Sequence, residues 1–365
     1  MPAPDDATTL ELREPDDAFR RIESWLREQG FFRPGGEELV ADLYLGYGLS
    51  QAIRRDASPP PPEPCPALPL AACAVNAQDR LVTLCHDASP RVGGWELTWP
   101  AEGYRDAVEA VREAIACGDV YQVNVVQHLS APFAGDAAAL ATALAPLQPL
   151  HAEPLAGDGW TIVSASPELF LSRRGSRLWT MPIKGTRPLG AAEELAGSEK
   201  DAAEHVMIVD LERNDLSRVC EPGSVRWPEL MAGYELAGVE HLVSTVEGTV
   251  REGVGLAEIL EATFPGGSVT GAPKIAAVDL IAALEPVARG ASMGALGRVC
   301  GNGDFDLALT IRTFAVADGR IHLWVGGGVV WDSDPDAEVE ESWTKARPLL
   351  EAIGSQLPVH TAVRR

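Results

Sequence analysis

The first hundred residues carry a sparse hydrophobic pattern. In "DDAFRRIESWLREQG", Phe19, Ile22, Trp25 and Leu26 recur at helical spacing and predict a helix over 16–30 that stops at Gly30. "RDASPPPPEPCPALP" (55–69) has no period and reads as an extended, exposed connection. From residue 101 the periods sharpen. Tyr104, Val108, Val111 and Ile115 share one helical face that ends at Gly118, and a strand follows over 120–130. "WTIVSAS", "ELFLSRR" and "RLWTMPI" read as further strands, and 199–213 as a helix. A helix opens at "APKIAAVDLIAALE" with Pro273 suited to its first turn, and a last one covers 336–355. Between them "FDLALTIRTFAVADGRIHLWVGGGVV" is two alternating runs around Asp318-Gly319, a two-residue hairpin signal. Strands joined by hairpins, with helices inserted, predict an α+β fold of large antiparallel, sandwich-like sheets flanked by helices. The expected organisation is a divergent N-terminal part over 1–100, packed on a core over 101–357.

Extending the hairpin register places Arg312 opposite Val325 and Thr310 opposite Gly327, so the guanidinium would stand beside Gly326, Gly327 and Gly328. An arginine beside bare backbone N–H groups suits a carboxylate; it equally suits an acidic neighbour within the strand. The last helix puts Glu338, Glu341 and Lys345 on one face, and the helix over 199–213 offers Asp201 and Glu204 one turn apart. Two such helices can clamp one hard divalent cation such as Mg²⁺, or simply present solvated acidic faces. "FPGGSVTGAPK" (264–274) leads a glycine-rich turn into a helix, where free N–H groups can hold an anion or merely make the turn; it lacks the order of a P-loop. His241, heading "EHLVSTVEG", reads on its own as a hydrogen-bonded structural residue.

Composition narrows the partners. A formal charge of −23 on 365 residues argues against nucleic acid or an anionic membrane, so a small anion would need locally supplied positive charge. The six cysteines show no C-x-x-C spacing and no histidine cluster, which argues against a zinc site or a disulfide framework. No apolar run nears the ~20 residues that cross a bilayer, and no leader pattern follows the acidic start. A soluble cytoplasmic protein is expected.

"SPELF", "PIKGT", "AEHVMIVDLERNDLSR", "HLVSTVEG", "FPGGSVTGAPK", "LTIRTF" and "GGGVVWDSDPDAEVEESWTKA", in this order, resemble the chorismate-utilising enzymes over about 104–350. The resemblance implies chorismate as substrate and Mg²⁺ on its ring carboxylate. By position, Glu204 and Glu341 resemble the direct metal ligands, with Glu338 and Asp201 close by. Arg312 resembles the residue that grips the pyruvyl carboxylate. Gly326, Gly328 and Lys345 match the ring-carboxylate and metal surroundings; Gly185 and Thr186 belong to the substrate site, and His241 lies near the reacting face.

Within the family, "PIKGT" is the form typical of the aminodeoxychorismate synthase branch, whereas the anthranilate synthases carry a small residue at Lys184. The isochorismate-forming branch places a water-activating lysine where this chain has Gln122. The implied chemistry is amination of chorismate at C4, with Lys184 attacking C2 and Glu168 protonating the departing C4 oxygen. That assignment needs a carboxyl raised by burial and an amine kept neutral by desolvation against Ile183 and by nearby positive charge from Mg²⁺ and Arg312. No cysteine sits in a glutaminase context, so ammonia would come from solution or from a separate glutamine amidotransferase subunit; a lyase completing para-aminobenzoate is also missing. The alternatives are an anthranilate synthase-like enzyme and a chorismate-binding relative without catalysis. Ser292 stands where relatives usually carry an aromatic residue, and no tryptophan-binding strand motif is found.

Overall fold

A computed structural model describes residues 8–76, 89–188, 199–236 and 239–357. Their strands fall into two antiparallel sheets. In the larger, ten-stranded sheet the spatial order is β1 (Thr9–Leu12), β3 (Ala71–Asn76), β2 (Val40–Leu45), β15 (Ala295–Cys300), β16 (Phe305–Leu309), β9 (Leu169–Arg174), β10 (Arg177–Met181), β13 (Val239–Thr249) and β11 (Ile183–Pro188), with β12 (Arg226–Leu236) also paired to β13. The eight-stranded sheet runs β14 (Gly271–Ala272), β6 (Gln122–Ala134), β18 (Arg320–Val329), β17 (Thr313–Ala317), β8 (Trp160–Ser164) and β7 (Leu155–Gly157); β4 (Arg91–Val92) and β5 (Glu96–Leu97) pair with β6. This is the α+β architecture the periodicity called for.

The helices form where an apolar stripe can be buried. The helix Ala18–Glu28 buries Ala18, Ile22 and Leu26. Ala101–Cys117 buries Tyr104, Ala107, Val108 and Val111 and stops at Gly118, which takes the left-handed φ of 83° that a side chain resists. Pro335–Ala352 is capped by Asp334, whose side chain accepts the Ala337 N–H; it buries Val339, Trp343 and Ala346 and packs against β18 and the helix Ala101–Cys117. The first three strands are built into the larger sheet, where β2 pairs with β15 from Val40↔Cys300 to Leu45↔Ala295, while β4 and β5 join β6 in the other. The proline-rich connection runs largely exposed over 55–60, then docks where the Ala288 N–H meets the Pro62 carbonyl at 2.9 Å. No helix among the described residues is long and apolar enough to cross a membrane.

The long hairpin departs from its expected register. Pairing holds from Ala317↔Arg320 to Phe314↔Leu323 and then stops. Arg312 does not face Val325, and Thr310 does not face Gly327. The run is two strands in two sheets: β16 joins β9 and β15 in the larger sheet, while β17 joins β8 and β18 in the other. Residues 310–312 make the crossing. The Thr310 carbonyl takes the Met293 N–H at 3.0 Å, and Arg312 adopts a φ of 50°, rare for a residue with a Cβ. Alternation of apolar residues continues through such a crossing because both sheets bury one face.

Candidate active site

Pro182, with no N–H to give, interrupts the strand pattern between β10 and β11. Beyond it, β11 pairs with β13 through Lys184↔Leu242 and then Thr186↔His241, so Gly185 is an extra residue with a φ of 65°. Such a bulge re-aims the neighbouring side chain, and glycine tolerates the left-handed backbone it needs. Lys184 is thereby turned inward. Its side chain is 11% exposed, with Nζ 3.2 Å from Glu204 Oε1 and 3.4 Å from the Ser268 carbonyl oxygen.

Glu168 directly precedes β9, the hairpin partner of β10, so the two strands bring it back to residue 183. The Ile183 N–H donates to Glu168 Oε1 at 3.3 Å, and the carboxyl is buried. Burial raises its pKa, opposed by Lys184, the Ser268 hydroxyl, the Ile183 N–H and Arg312. A carboxyl raised this way holds its proton more firmly than a surface glutamate and is better suited to act as a general acid. Burial in turn lowers the Arg312 guanidinium, and the neighbouring Glu168 charge partly offsets it. Even with the pairing broken at 310–312, Arg312 lies near enough to Glu168 for each to feel the other's charge.

The neutral amine expected at Lys184 is not found in the protein alone. Burial pulls its pKa down, but Glu204, Glu168 and Glu212 together outweigh it, so the shift is upward. Three converging carboxylates, which the sequence does not reveal, outweigh the desolvation expected there. Glu204 is the nearest of them, and engagement of that carboxylate elsewhere would loosen its hold on the amine.

Both acidic helices meet the glycine triplet of β18. A Cβ on Gly327 would lie 3.1 Å from Glu341 Oε1, 3.2 Å from Lys345 Nζ and 3.4 Å from Glu338 Oε2. One on Gly328 would fall 2.2 Å from Gln122 Nε2 and 2.7 Å from Glu204 Oε1. Only glycine leaves room for these side chains. Lys345 spans the region, donating to the Gly326 carbonyl at 2.9 Å and pairing with Glu341 at 2.7 Å. Beyond Leu323 β18 pairs only with β6 among the described strands, which leaves its other edge open at the triplet.

The donors gathered here are hard oxygens, the chemistry a Mg²⁺ ion takes, and two of the carboxylates stand over adjacent strand positions. They are not a preformed cluster: among the described residues no three His, Cys, Asp or Glu side chains are close enough to hold a metal ion. Glu204 and Glu341 are engaged by Lys184 and Lys345, pairs that an ion would have to displace. Asp201 lies on the same helix as Glu204, and Thr186 and His241 are direct cross-strand partners; the side chains of these three lie outside the described residues.

Ser268 and Glu212 were not singled out from sequence, and Gln122 was noted only for the lysine it replaces. Gln122 Nε2 donates to Glu204 Oε1 at 2.9 Å. Ser268, in the glycine-rich turn, meets Lys184 through its carbonyl and Glu168 through its hydroxyl. Glu212 is buried, receives the Thr180 hydroxyl at 3.3 Å, and has its pKa pushed up to about 8 by burial and by Glu168 and Asp215. In the string "VDLERND" it is indistinguishable from a surface charge; the signal for Ser268 was the Gly-Gly pair before it.

Residues 49–351 match the family described as chorismate binding enzyme. Over 333 residues the chain is 39% identical to the anthranilate synthase component 1 of Streptomyces coelicolor, covering 88% of this chain and 62% of that protein. Over 273 residues it is 39% identical to the aminodeoxychorismate synthase component 1 of Klebsiella aerogenes, covering 72% of this chain and 60% of that protein. The chain thus spans about three fifths of the length of these curated relatives. Its fold is shared with the crystal structure of anthranilate synthase component I from Streptococcus pneumoniae TIGR4, at a TM-score of 0.82 and 24% identity, covering 94% of this chain and 89% of that one.

Proposed function

The chain belongs to the chorismate-binding enzymes, and on that premise we propose that it aminates chorismate at C4, giving 4-amino-4-deoxychorismate. The observation that carries this reading is a buried lysine close to a buried carboxyl whose pKa burial raises. A merely structural lysine has no need of the Gly185 bulge that turns it inward.

In this mechanism the Lys184 amine, once neutral, attacks C2; both ring double bonds shift, to C1=C6 and C4=C5, and the C4–O bond breaks. Glu168 supplies the proton with which that oxygen leaves as water. Hydroxide is too poor a leaving group to depart unprotonated. Ammonia then forms a bond to C4, both double bonds return, and the C2–N bond breaks to release Lys184 as the amine. The new C4 ammonium gives its extra proton back to Glu168, so nitrogen, water and protons balance and both residues are regenerated. Dividing one difficult substitution into two is the advantage of a covalent step.

Arg312 and the open edge of β18 at Gly326 and Gly328 would receive the substrate carboxylates, with Thr186 and His241 on the facing strand pair. Glu204 and Glu341 would hold Mg²⁺, with Glu338, Asp201 and Lys345 around them; the ion would neutralise the ring carboxylate. Ammonia would come from solution or from a separate glutamine amidotransferase subunit, a reading in keeping with the "component 1" names of the relatives.

Mass spectrometry of products from chorismate, ammonium and Mg²⁺ tests the reading. The wild type should release aminodeoxychorismate, and Lys184→Ala should lose about 10²-fold or more in rate. Fluorescent anthranilate appearing without an added lyase would move the enzyme to the activity named for its Streptomyces coelicolor relative.

A further inference from the structure

Two side chains of β6 have chemistry that the reading above leaves unused. Gln122 and Asn124 are two residues apart on an extended strand and so face the same way. Gln122 is 1% exposed and Asn124 7%. The amide of Gln122 is oriented by its neighbour: its nitrogen must face Glu204, 2.9 Å away, so its oxygen is turned elsewhere. That Oε1 atom is buried without a hydrogen-bond partner, and so is Asn124 Oδ1. The backbone beneath them is fixed. The Asn124 N–H donates to the Thr270 carbonyl at 2.7 Å, and the Asn124 carbonyl accepts from Arg289 at 2.6 Å. Native proteins rarely leave two buried carbonyl acceptors unmatched in one place.

We propose that Gln122 and Asn124 form the subsite for the incoming nitrogen nucleophile, ammonia. The inference rests on the amination reading and names the site of its second substrate. Its location is appropriate: the Glu204 oxygen that accepts from Gln122 also pairs with Lys184 Nζ at 3.2 Å, so the amide lies one carboxylate from the reacting lysine. Same-face positions on a strand repeat at about 6.8 Å, roughly twice an N–H···O length, so one small donor fits between two acceptors. Chorismate offers little here: its carboxylates and ether oxygen only accept, and its one donor, the C4 hydroxyl, is the group that Glu168 addresses in the proposed mechanism. Ammonia brings three N–H donors and one lone pair. Two donors can be spent on the two carbonyls, leaving the lone pair free for carbon.

The same pair of groups disfavours attack by water. A water molecule could satisfy both carbonyls, but it is a nucleophile only after a base removes a proton. Neither amide can accept one. Ammonia needs no such help, so orientation by two neutral acceptors is sufficient for it. A carboxylate at either position would instead hold ammonium, which has no lone pair to offer.

Steady-state kinetics with ammonium chloride as the sole nitrogen source distinguishes these roles, read as separate KM values for ammonium and chorismate. Asn124→Leu, close in shape but without the acceptor, should raise the ammonium KM about tenfold, the equivalent of one hydrogen bond, with the chorismate KM nearly unchanged. Gln122→Met should act in the same direction and provides the test if Asn124→Leu does not fold. Asn124→Asp keeps an acceptor but favours the protonated ligand, so its ammonium dependence should improve on that of the leucine variant and its rate–pH profile should shift. Ammonium-dependent product with an unchanged ammonium KM in the leucine and methionine variants overturns this assignment alone and leaves the carbonyls to a structural water. Absence of any ammonium-dependent product from the wild type overturns it together with the amination reading.

Discussion

Glu212 is buried between Glu168 and the Asp215–Lys274 pair, whose atoms approach to 2.5 Å. Its folded pKa of about 8 lies above the ordinary glutamate value of 4.5, so the native state keeps a proton that the unfolded chain releases. Below pH ~4.5 both states hold the proton and nothing is lost. Between there and pH ~8 stability falls as pH rises, by at most about 1.4 kcal/mol per unit, and above that the penalty is complete. Glu168 and Asp215, also shifted upward, act in the same sense. Glu212→Gln removes the ionisation while keeping the shape, so its melting temperature should gain on the wild type between pH 5 and pH 8. An equal difference at both pH values would show that Glu212 ionises normally in the fold.

Strand geometry decides whether the chemistry is presented. The bulge at Gly185 turns Lys184 towards Glu204, and it depends on a backbone conformation that an added Cβ opposes by about 1–2 kcal/mol. Gly185→Ala should therefore either straighten β11 or carry that strain. We expect kcat to fall at least tenfold while the protein still melts cooperatively; an unimpaired kcat would separate the bulge from catalysis. This element was partly legible. Glu168 and Lys184 could be paired from sequence because they flank one hairpin, and the helices could be placed because a single apolar stripe marks each. The crossing at 310–312 could not, since alternation is identical whether a strand continues in its sheet or enters another. Nor could the burial of Glu212 and the partnering of Ser268 be read, because both depend on which elements pack against them.

At the scale of the molecule, β1, β2 and β3 share a sheet with the strands that position Glu168 and Lys184. Removing residues 1–100 would strip β1, β2 and β3 from β15 and uncover Ala295, Leu296 and Val299, all fully buried. A fragment over 101–357 should therefore elute as aggregate in size-exclusion chromatography, as open apolar strand edges do. A monodisperse, cooperatively melting fragment would contradict this. The two sheets are also joined through the pocket itself. Arg312 belongs to the three-residue crossing from β16 to β17, and its guanidinium lies beside Glu168. Under the proposed function, the stitch between the layers is also a finger on the substrate. Any slip of one layer against the other would then displace that finger, so a remote substitution that loosens this seam should weaken the grip on chorismate before it loosens the protein as a whole.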